Sequence, residues 1–447
     1  MSSVAAEGQG SQESGRFLLT VNFVFISTVM AYGLGFLAVI LISRELGAEG
    51  RGVTALYQSA VNLTFVVLSL GIGSAVVYYV SRGDLSGRAA LEAGLTMTLL
   101  AATFVSVGVL IGLAIEGGVT YDGVPYWLAI IAVPGILQFQ LFETLLRGQG
   151  RFGAMNVLNV ALPVTVLTAF IGVELTVGLT VTRAVYAWSF AFLPPVVFGY
   201  ILVGPSIWPR GVTSLPKLKP LLVFGAQSQA GNLIQLLNYR LDAYIILILT
   251  NATGVGLYAT GVSLSEGLWF MANSAAVVLL TNLTAGDEDY VARMTPLVCR
   301  STLLLTAAAA VAAAAVSPYV IPLVFGSSFD DAVVPFLCLL PGTVALAGGK
   351  ILSAYVFSRG RPTINAVIAL ITLVVTVVAD VLLIPWLHVT GAAIGASIAY
   401  TVSLTLTALA YRRLSGASIL NALLPRPSDA GIAIDAVRGI AGRFAAR

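Results

Sequence analysis

The sequence predicts an all-α polytopic membrane protein of about twelve transmembrane helices, built as two repeats of six. Three observations support this. Of 447 residues, 58% are hydrophobic and only 10% are charged, whereas soluble domains carry about 25% charge. Long uncharged runs recur along the chain at lengths that can cross a bilayer, each crossing needing about 20 apolar residues. The basic residues fall almost entirely on one side of the alternating turns between those runs.

Composition also excludes several classes. The net charge of +3 is small and dispersed, which argues against a nucleic-acid partner. Cys299 and Cys338 are the only cysteines and sit in or beside apolar segments, so neither a disulfide framework nor a cysteine metal site is expected. A single histidine, His388, offers no histidine metal cluster, and no cofactor is expected beyond a coupling proton or sodium ion. The start, MSSVAAEGQGSQESGR, is polar and lacks the basic region of a cleavable signal, so the apolar run after Arg16 reads as a retained first helix.

Taken in order, the uncharged runs place helices near 17–43, 53–81, 91–115, 124–146, 155–173 and 178–203. A second set follows near 219–249, 254–285, 295–316, 332–358, 362–384 and 391–411. Outer turns are expected over LGAEG (46–50) and over Thr250 to Gly256. With the N-terminus inside, 18 of the 23 basic residues reach the cytoplasmic side, Arg44 and Arg51 the other, and Arg183, Arg240 and Lys350 lie within spans. Such a partition predicts cytoplasmic termini in the cytoplasmic membrane. No loop is long enough to be a domain.

The chain repeats itself weakly. LGAEGRGVTA (46–55) overlies TNATGVGLYA (250–259) with four identities in ten: Ala48/Ala252, Gly50/Gly254, Gly52/Gly256 and Ala55/Ala259. GQGRFGAMN (148–156) echoes SRGRPTIN (358–365) at nearly the same offset. Because six helices is an even number, both repeats enter from the same side and are parallel. The expected domains are a six-helix lobe over 1–210, a second over 211–413, and a cytoplasmic tail over 414–447. In that tail, Val437, Ile440 and Phe444 share a face of a weak amphipathic helix.

Several stretches together resemble the bacterial polysaccharide flippases of the multidrug/oligosaccharidyl-lipid/polysaccharide exporter superfamily. They are ISRELGAEGRGVTALYQSAVNLTFVVLSLGIGSAVVYYVSRG (42–83), LLRGQGRFGAMN (145–156), the NYRLDAYIIL to GVGLYATGVSLSE hairpin (238–266), VFGSSFDDAVVPFLCLLPG (324–342) and SRGRPTINAVIAL to LLIPWLHVTGAAIGASIAY (358–400). The resemblance implies two six-helix lobes around a central cavity that opens alternately to each side. It also implies a non-enzymatic protein that moves polyprenyl-diphosphate-linked oligosaccharide to the outer leaflet for surface polysaccharide biosynthesis. Implied partners are that lipid-linked oligosaccharide, membrane lipids and other polysaccharide-assembly membrane proteins. Two rivals remain: a cation-coupled multidrug exporter of the same superfamily, and a membrane glycosyltransferase or polymerase. The second would need a sizeable extramembrane loop with catalytic carboxylates.

Charges inside spans are costly and usually face a protein interior or a water-filled path, which makes them the candidate site. For contact with diphosphate or sugar the candidates are Lys350, Arg240, Arg183, Arg44 and Arg51. For ion coupling they are Glu266, Asp242 and Asp380. Lys350 lies mid-span, where an ammonium can meet a diphosphate or neutralise Glu266. Ser228, Asn232, Gln235, Asn238 and Asp242 step by four, three, three and four, forming one polar stripe from which Arg240 points away. Arg44 and Arg51 flank the first outer turn, to seal a gate or simply be solvated. Arg183 and Asp380 lie near helix ends, where snorkelling suffices. Glu143 and Arg147 form an i,i+4 pair. Gly148, Gly150 and Gly153 spell GxGxxG, but in a turn between apolar helices rather than after a strand, so no nucleotide site is expected.

Overall fold

The computed structural model describes residues 2–116, 120–121, 124–285 and 288–424. The architecture is helical apart from one two-residue antiparallel pairing of β1 (Thr120–Tyr121) with β2 (Val124–Pro125). The helices are α1 (Ser2–Ser69), α2 (Ile72–Ser81), α3 (Gly87–Glu116), α4 (Ala129–Gly148), α5 (Phe152–Val177), α6 (Val181–Phe190) and α7 (Leu193–Val203). They continue as α8 (Leu215–Leu249), α9 (Ala252–Ala285), α10 (Glu288–Phe325), α11 (Val333–Ser358), α12 (Pro362–Ser415) and the short α13 (Ile419–Leu423). Eight helical segments of the described residues are long and apolar enough to cross a membrane. The protein is therefore an all-α, multi-pass membrane protein. The weak amphipathic helix expected over 432–447 lies outside the described residues.

The chain divides into two compact units. One comprises residues 1–46 and 53–233; the other comprises 47–52 and 234–447. In the first, Ala38, Ile42, Phe170, Ala184 and Ala187 form a core cluster. Tyr57 is fully buried there and meets Ser189 Oγ at 2.8 Å. In the second, Cys299, Ile351, Leu352, Tyr355, Ala408, Tyr411 and Ala422 form the corresponding cluster.

Helix interruptions follow local chemistry. The run expected as one span over 178–203 breaks at Ala191–Phe192, just before Pro194 and Pro195. Pro195 has no N–H for the Ala191 carbonyl. The Thr165 hydroxyl donates to that carbonyl instead, at 2.9 Å. The span expected over 53–81 breaks at Leu70–Gly71, both with positive φ (44° and 68°). There a Cβ on Gly71 would fall 2.2 Å from the Gly225 carbonyl oxygen, so only glycine permits that approach. α12 breaks at His388 (φ 48°, ψ −133°), a conformation costly for a residue with a Cβ.

Of the two expected turns, the first is present as a break at Gly47 and the second is shorter than expected. Across LGAEG the chain is helical except at Gly47 (φ 66°, ψ −174°). The expected turn over Thr250 to Gly256 shrinks to Thr250–Asn251, because Asn251 Oδ1 accepts the Gly254 N–H at 2.9 Å and starts α9 at once. Gly47 turns the chain, whereas Gly52 and Gly256 serve close packing. A Cβ on Gly52 would sit 1.8 Å from the Ala252 carbonyl oxygen, and one on Gly256 would sit 1.8 Å from that of Ala48. Here the residues matched in the internal repeat pack against each other reciprocally. The second echo also has a shared local form. Gly150 and Gly360 both have φ 69°, and the N–H groups of Gln149 and Arg359 each bond the carbonyl four residues back.

Candidate functional site

The charged candidates converge in the second unit. α8 and α9 run antiparallel through a two-residue connection, so Arg240 near the end of α8 comes level with Glu266 in α9. The Arg240 guanidinium lies 3.5 Å from Glu266 Oε1, with both side chains partly exposed. Arg51 enters the same neighbourhood from the segment 47–52, carried there by the Gly52–Gly256 crossing, and is only 5% exposed. Arg240 and Glu266 are its charged neighbours. Of the alternatives for Arg51, a gate or a solvated turn, its burial excludes the solvated one: the helix that follows the break at Gly47 buries it.

Lys350 lines a cavity of about 520 Å³ bounded by α8, α11 and α12. Its Nζ stands 5.7 Å from the centroid of the Tyr239 ring, an approach suited to a cation–π contact. Gln235, Asn238, Asn365 and Tyr400 add polar groups to the wall. Asn238 is fixed by donating to the Ala369 carbonyl at 2.9 Å. Arg240 makes a salt bridge to Glu266, whose charge also acts on Lys350.

Asp242 and Asp380 form a second cluster in the same unit. They are 1% and 0% exposed and face each other across α8 and α12. The Tyr258 hydroxyl donates to Asp242 Oδ2. Among the described residues, the facing carboxyl of Asp242 is the hydrogen-bonding group that Asp380 meets. A Cβ on Gly395 would press to 2.8 Å from Asp380 Oδ1, so the glycine leaves that oxygen room. Asp380 is thus not a snorkelling residue at a helix end. Arg240 and Asp242 take different surroundings, as their separation of about 200° around a helix requires.

The remaining candidates stand apart from this convergence. Arg183 is spent on the end of α5, donating to the carbonyls of Val177 and, at 3.0 Å, Gly178. Arg44 is exposed and belongs to the first unit. Glu143 and Arg147 pair with each other. Sequence reasoning missed Tyr239, Tyr258 and Tyr400. Tyr239 could have been found, since it lies four residues after Gln235 of the polar stripe; nothing local marks Tyr258 or Tyr400. Among the described residues no group of three or more His, Cys, Asp or Glu could hold a metal ion.

The first unit has a cavity of different character, about 610 Å³, between α1, α5 and α7. Its walls are Val160, Val164, Pro194, Phe198 and similar apolar groups. Ser27, Thr165 and Asn156 are the polar residues among them; Asn156 is 1% exposed, and among the described residues neither of its amide atoms has a hydrogen-bond partner.

With this geometry described, similarity to known proteins decides the family. Residues 20–280, more than half of the chain, match the family model described as polysaccharide biosynthesis protein. The chain belongs to this family. A curated relative, the probable low-salt glycan biosynthesis flippase Agl15 of Haloferax volcanii, is 22% identical over 393 residues, covering 86% of this chain and 81% of that protein. Among solved structures, an inward-facing multidrug resistance MATE family transporter superposes with a TM-score of 0.72 at 16% identity, covering 86% of this chain and 94% of that one. The lipid II flippase MurJ in an inward closed conformation gives 0.70 at 11% identity, with 87% of each chain covered. At these identities the structural likeness establishes the fold of this family member and nothing about its cargo.

Proposed function

We propose that this protein is a flippase that moves polyprenyl-diphosphate-linked oligosaccharide across the cytoplasmic membrane by alternating access, for surface polysaccharide biosynthesis. In this reading the chain crosses twelve times, as parallel six-helix lobes over 1–210 and 211–413, with both termini cytoplasmic. Other membrane proteins of polysaccharide assembly are its working partners. One observation carries the reading: Arg240, Arg51 and Lys350 are gathered inside one helical unit of a membrane protein. Exposing a diphosphate to hydrocarbon without compensation would cost many kcal/mol. Guanidinium and ammonium groups held on rigid helices meet that demand, and the amide-lined wall beside Lys350 suits sugar hydroxyls. Exposed Arg44 and Arg183 act where the headgroup leaves.

The same reading assigns coupling to Asp242 and Asp380, with Glu266 as counter-ion of the arginines. Two carboxylates face to face in a low-dielectric interior are stabilised by a shared proton or a small cation. The facing carboxyls of Asp242 and Asp380 and the room left by Gly395 fit such a guest. It would supply the charge balance that alternates with opening and closing.

The rival reading, a cation-coupled multidrug exporter, has the superposed multidrug resistance MATE family transporter behind it by name, and the buried carboxylate pair suits it equally. Purified protein in liposomes loaded with polyprenyl-diphosphate oligosaccharide separates the two. Accumulation of the lipid in the far leaflet, absent with empty liposomes, is expected. Export of a cationic dye without lipid movement rejects the flippase. Orientation is tested with single cysteines at Lys217 and Thr253, which should react with an impermeant thiol reagent from opposite sides.

A further inference from the structure

Two amides on the wall of the second unit's cavity share one state. Asn238 of α8, 3% exposed, donates from Nδ2 to the Ile234 carbonyl at 3.1 Å and to the Ala369 carbonyl of α12 at 2.9 Å. Asn365 of α12 donates from Nδ2 to the Ser353 carbonyl of α11 at 3.0 Å. Each amide is thereby locked, because turning it over would set its oxygen against a carbonyl. The Oδ1 atoms of both are buried and, among the described residues, neither has a hydrogen-bond partner. A buried acceptor left without a donor costs about 1–3 kcal/mol. Here two of them border one cavity of about 520 Å³, a size within the range of small-ligand sites.

A guest that satisfies these oxygens must bring hydrogen-bond donors. An ammonium group would do so, but Lys350 alone is charged among the described residues that line the cavity, and it disfavours a second positive charge. Glu266, the acid nearest in kind, is already paired with Arg240. The group that donates without positive charge is a hydroxyl, and two locked acceptors suit two hydroxyls of one molecule. Phe357 and Tyr400 add aromatic surface to the same cavity, for the apolar face of a sugar ring. We propose that this cavity selects free sugar hydroxyls: Asn238 and Asn365 each accept a hydrogen bond from the sugar, and sugars whose hydroxyls carry O-acyl or O-alkyl caps are turned away. This rests on the flippase reading and adds which sugars are admitted. A capped oxygen has lone pairs but no proton, so at either amide it would set oxygen against oxygen. The selection lies wholly within the second unit, on α8, α11 and α12.

The test uses the full chain in a sugar-free detergent and saturation-transfer NMR with the methyl glycosides of glucose, galactose and mannose, each compared with its fully O-methylated ether. At least one free glycoside should bind about tenfold tighter than its ether, about threefold for each hydrogen bond. Asn238→Leu and Asn365→Leu should each lower that ratio about threefold, and the double variant should bring it to about one, because the changes weaken the glycoside and spare the ether. A loss that falls equally on glycoside and ether would make the amides mere ties between helices and overturn the proposal. So would ethers that bind as well as the glycosides, or a panel of which no member binds, which leaves water as the partner of the two oxygens. Should Asn238→Leu not fold, Asn365→Leu and the ratio in the parent protein decide. Lipid movement in liposomes judges the flippase reading separately. Movement without hydroxyl preference overturns this inference alone, whereas hydroxyl preference without movement rejects the flippase and leaves a sugar site.

Discussion

The cavities of the two units are similar in size and opposite in chemistry. The one in the second unit, about 520 Å³, gathers a lysine, three amides and two tyrosines on its wall. The one in the first unit, about 610 Å³, is almost wholly apolar and contains a single unsatisfied amide, Asn156. Two units whose sequences share the repeated glycine segments thus enclose different chemistry. Charge is tolerated where helices supply a counter-charge or an aromatic face, as Glu266 does for Arg240 and Tyr239 for Lys350. The first unit provides neither around its cavity, and its deep wall is correspondingly uncharged.

This contrast can be broken or sharpened. The largest effect is expected at Lys350: Lys350→Gln should reduce lipid flipping in liposomes at least tenfold, and Lys350→Arg should keep part of it. If Lys350 merely balances Glu266, Lys350→Gln with Glu266→Gln should recover activity that each change loses, and no such recovery is expected. Next comes Asp380→Asn, which should remove the dependence of transport on a proton or sodium gradient while protein still inserts and melts cooperatively. Dependence that survives in Asp380→Asn and Asp242→Asn alike would remove the carboxylate pair from coupling.

Smaller effects probe the apolar side of the comparison. Asn156→Leu replaces an unsatisfied buried amide by a similar volume of hydrocarbon, so thermal stability should rise by about 1 kcal/mol with flipping changed less than twofold. A large loss of flipping in that variant would make the two cavities functional equals. The smallest change is expected for Thr165→Val. It leaves the Ala191 carbonyl without its substitute donor beside Pro195 and should cost about 1 kcal/mol of stability without altering transport.

The second unit also explains why reading along the chain located charges but not partners. Asp242 was visible as the last member of a polar stripe, because helical spacing is written in sequence order. Its neighbour Asp380 looked like a residue at a helix end, since nothing local reports that α12 brings it against α8. The glycines at 254 and 256 read as a turn, because glycine favours both turning and close packing and only the facing backbone distinguishes the two.

By itself the sequence determined the membrane class and the all-helical character, along with the repeated glycine segments. These depend on hydropathy and spacing, which are properties of consecutive residues. Tertiary structure decided that Arg51 is buried, that Arg240 pairs with Glu266, and that Asp380 faces Asp242. Each of those depends on which helices touch and at what height, and Coulomb interactions follow distance through space rather than separation along the chain.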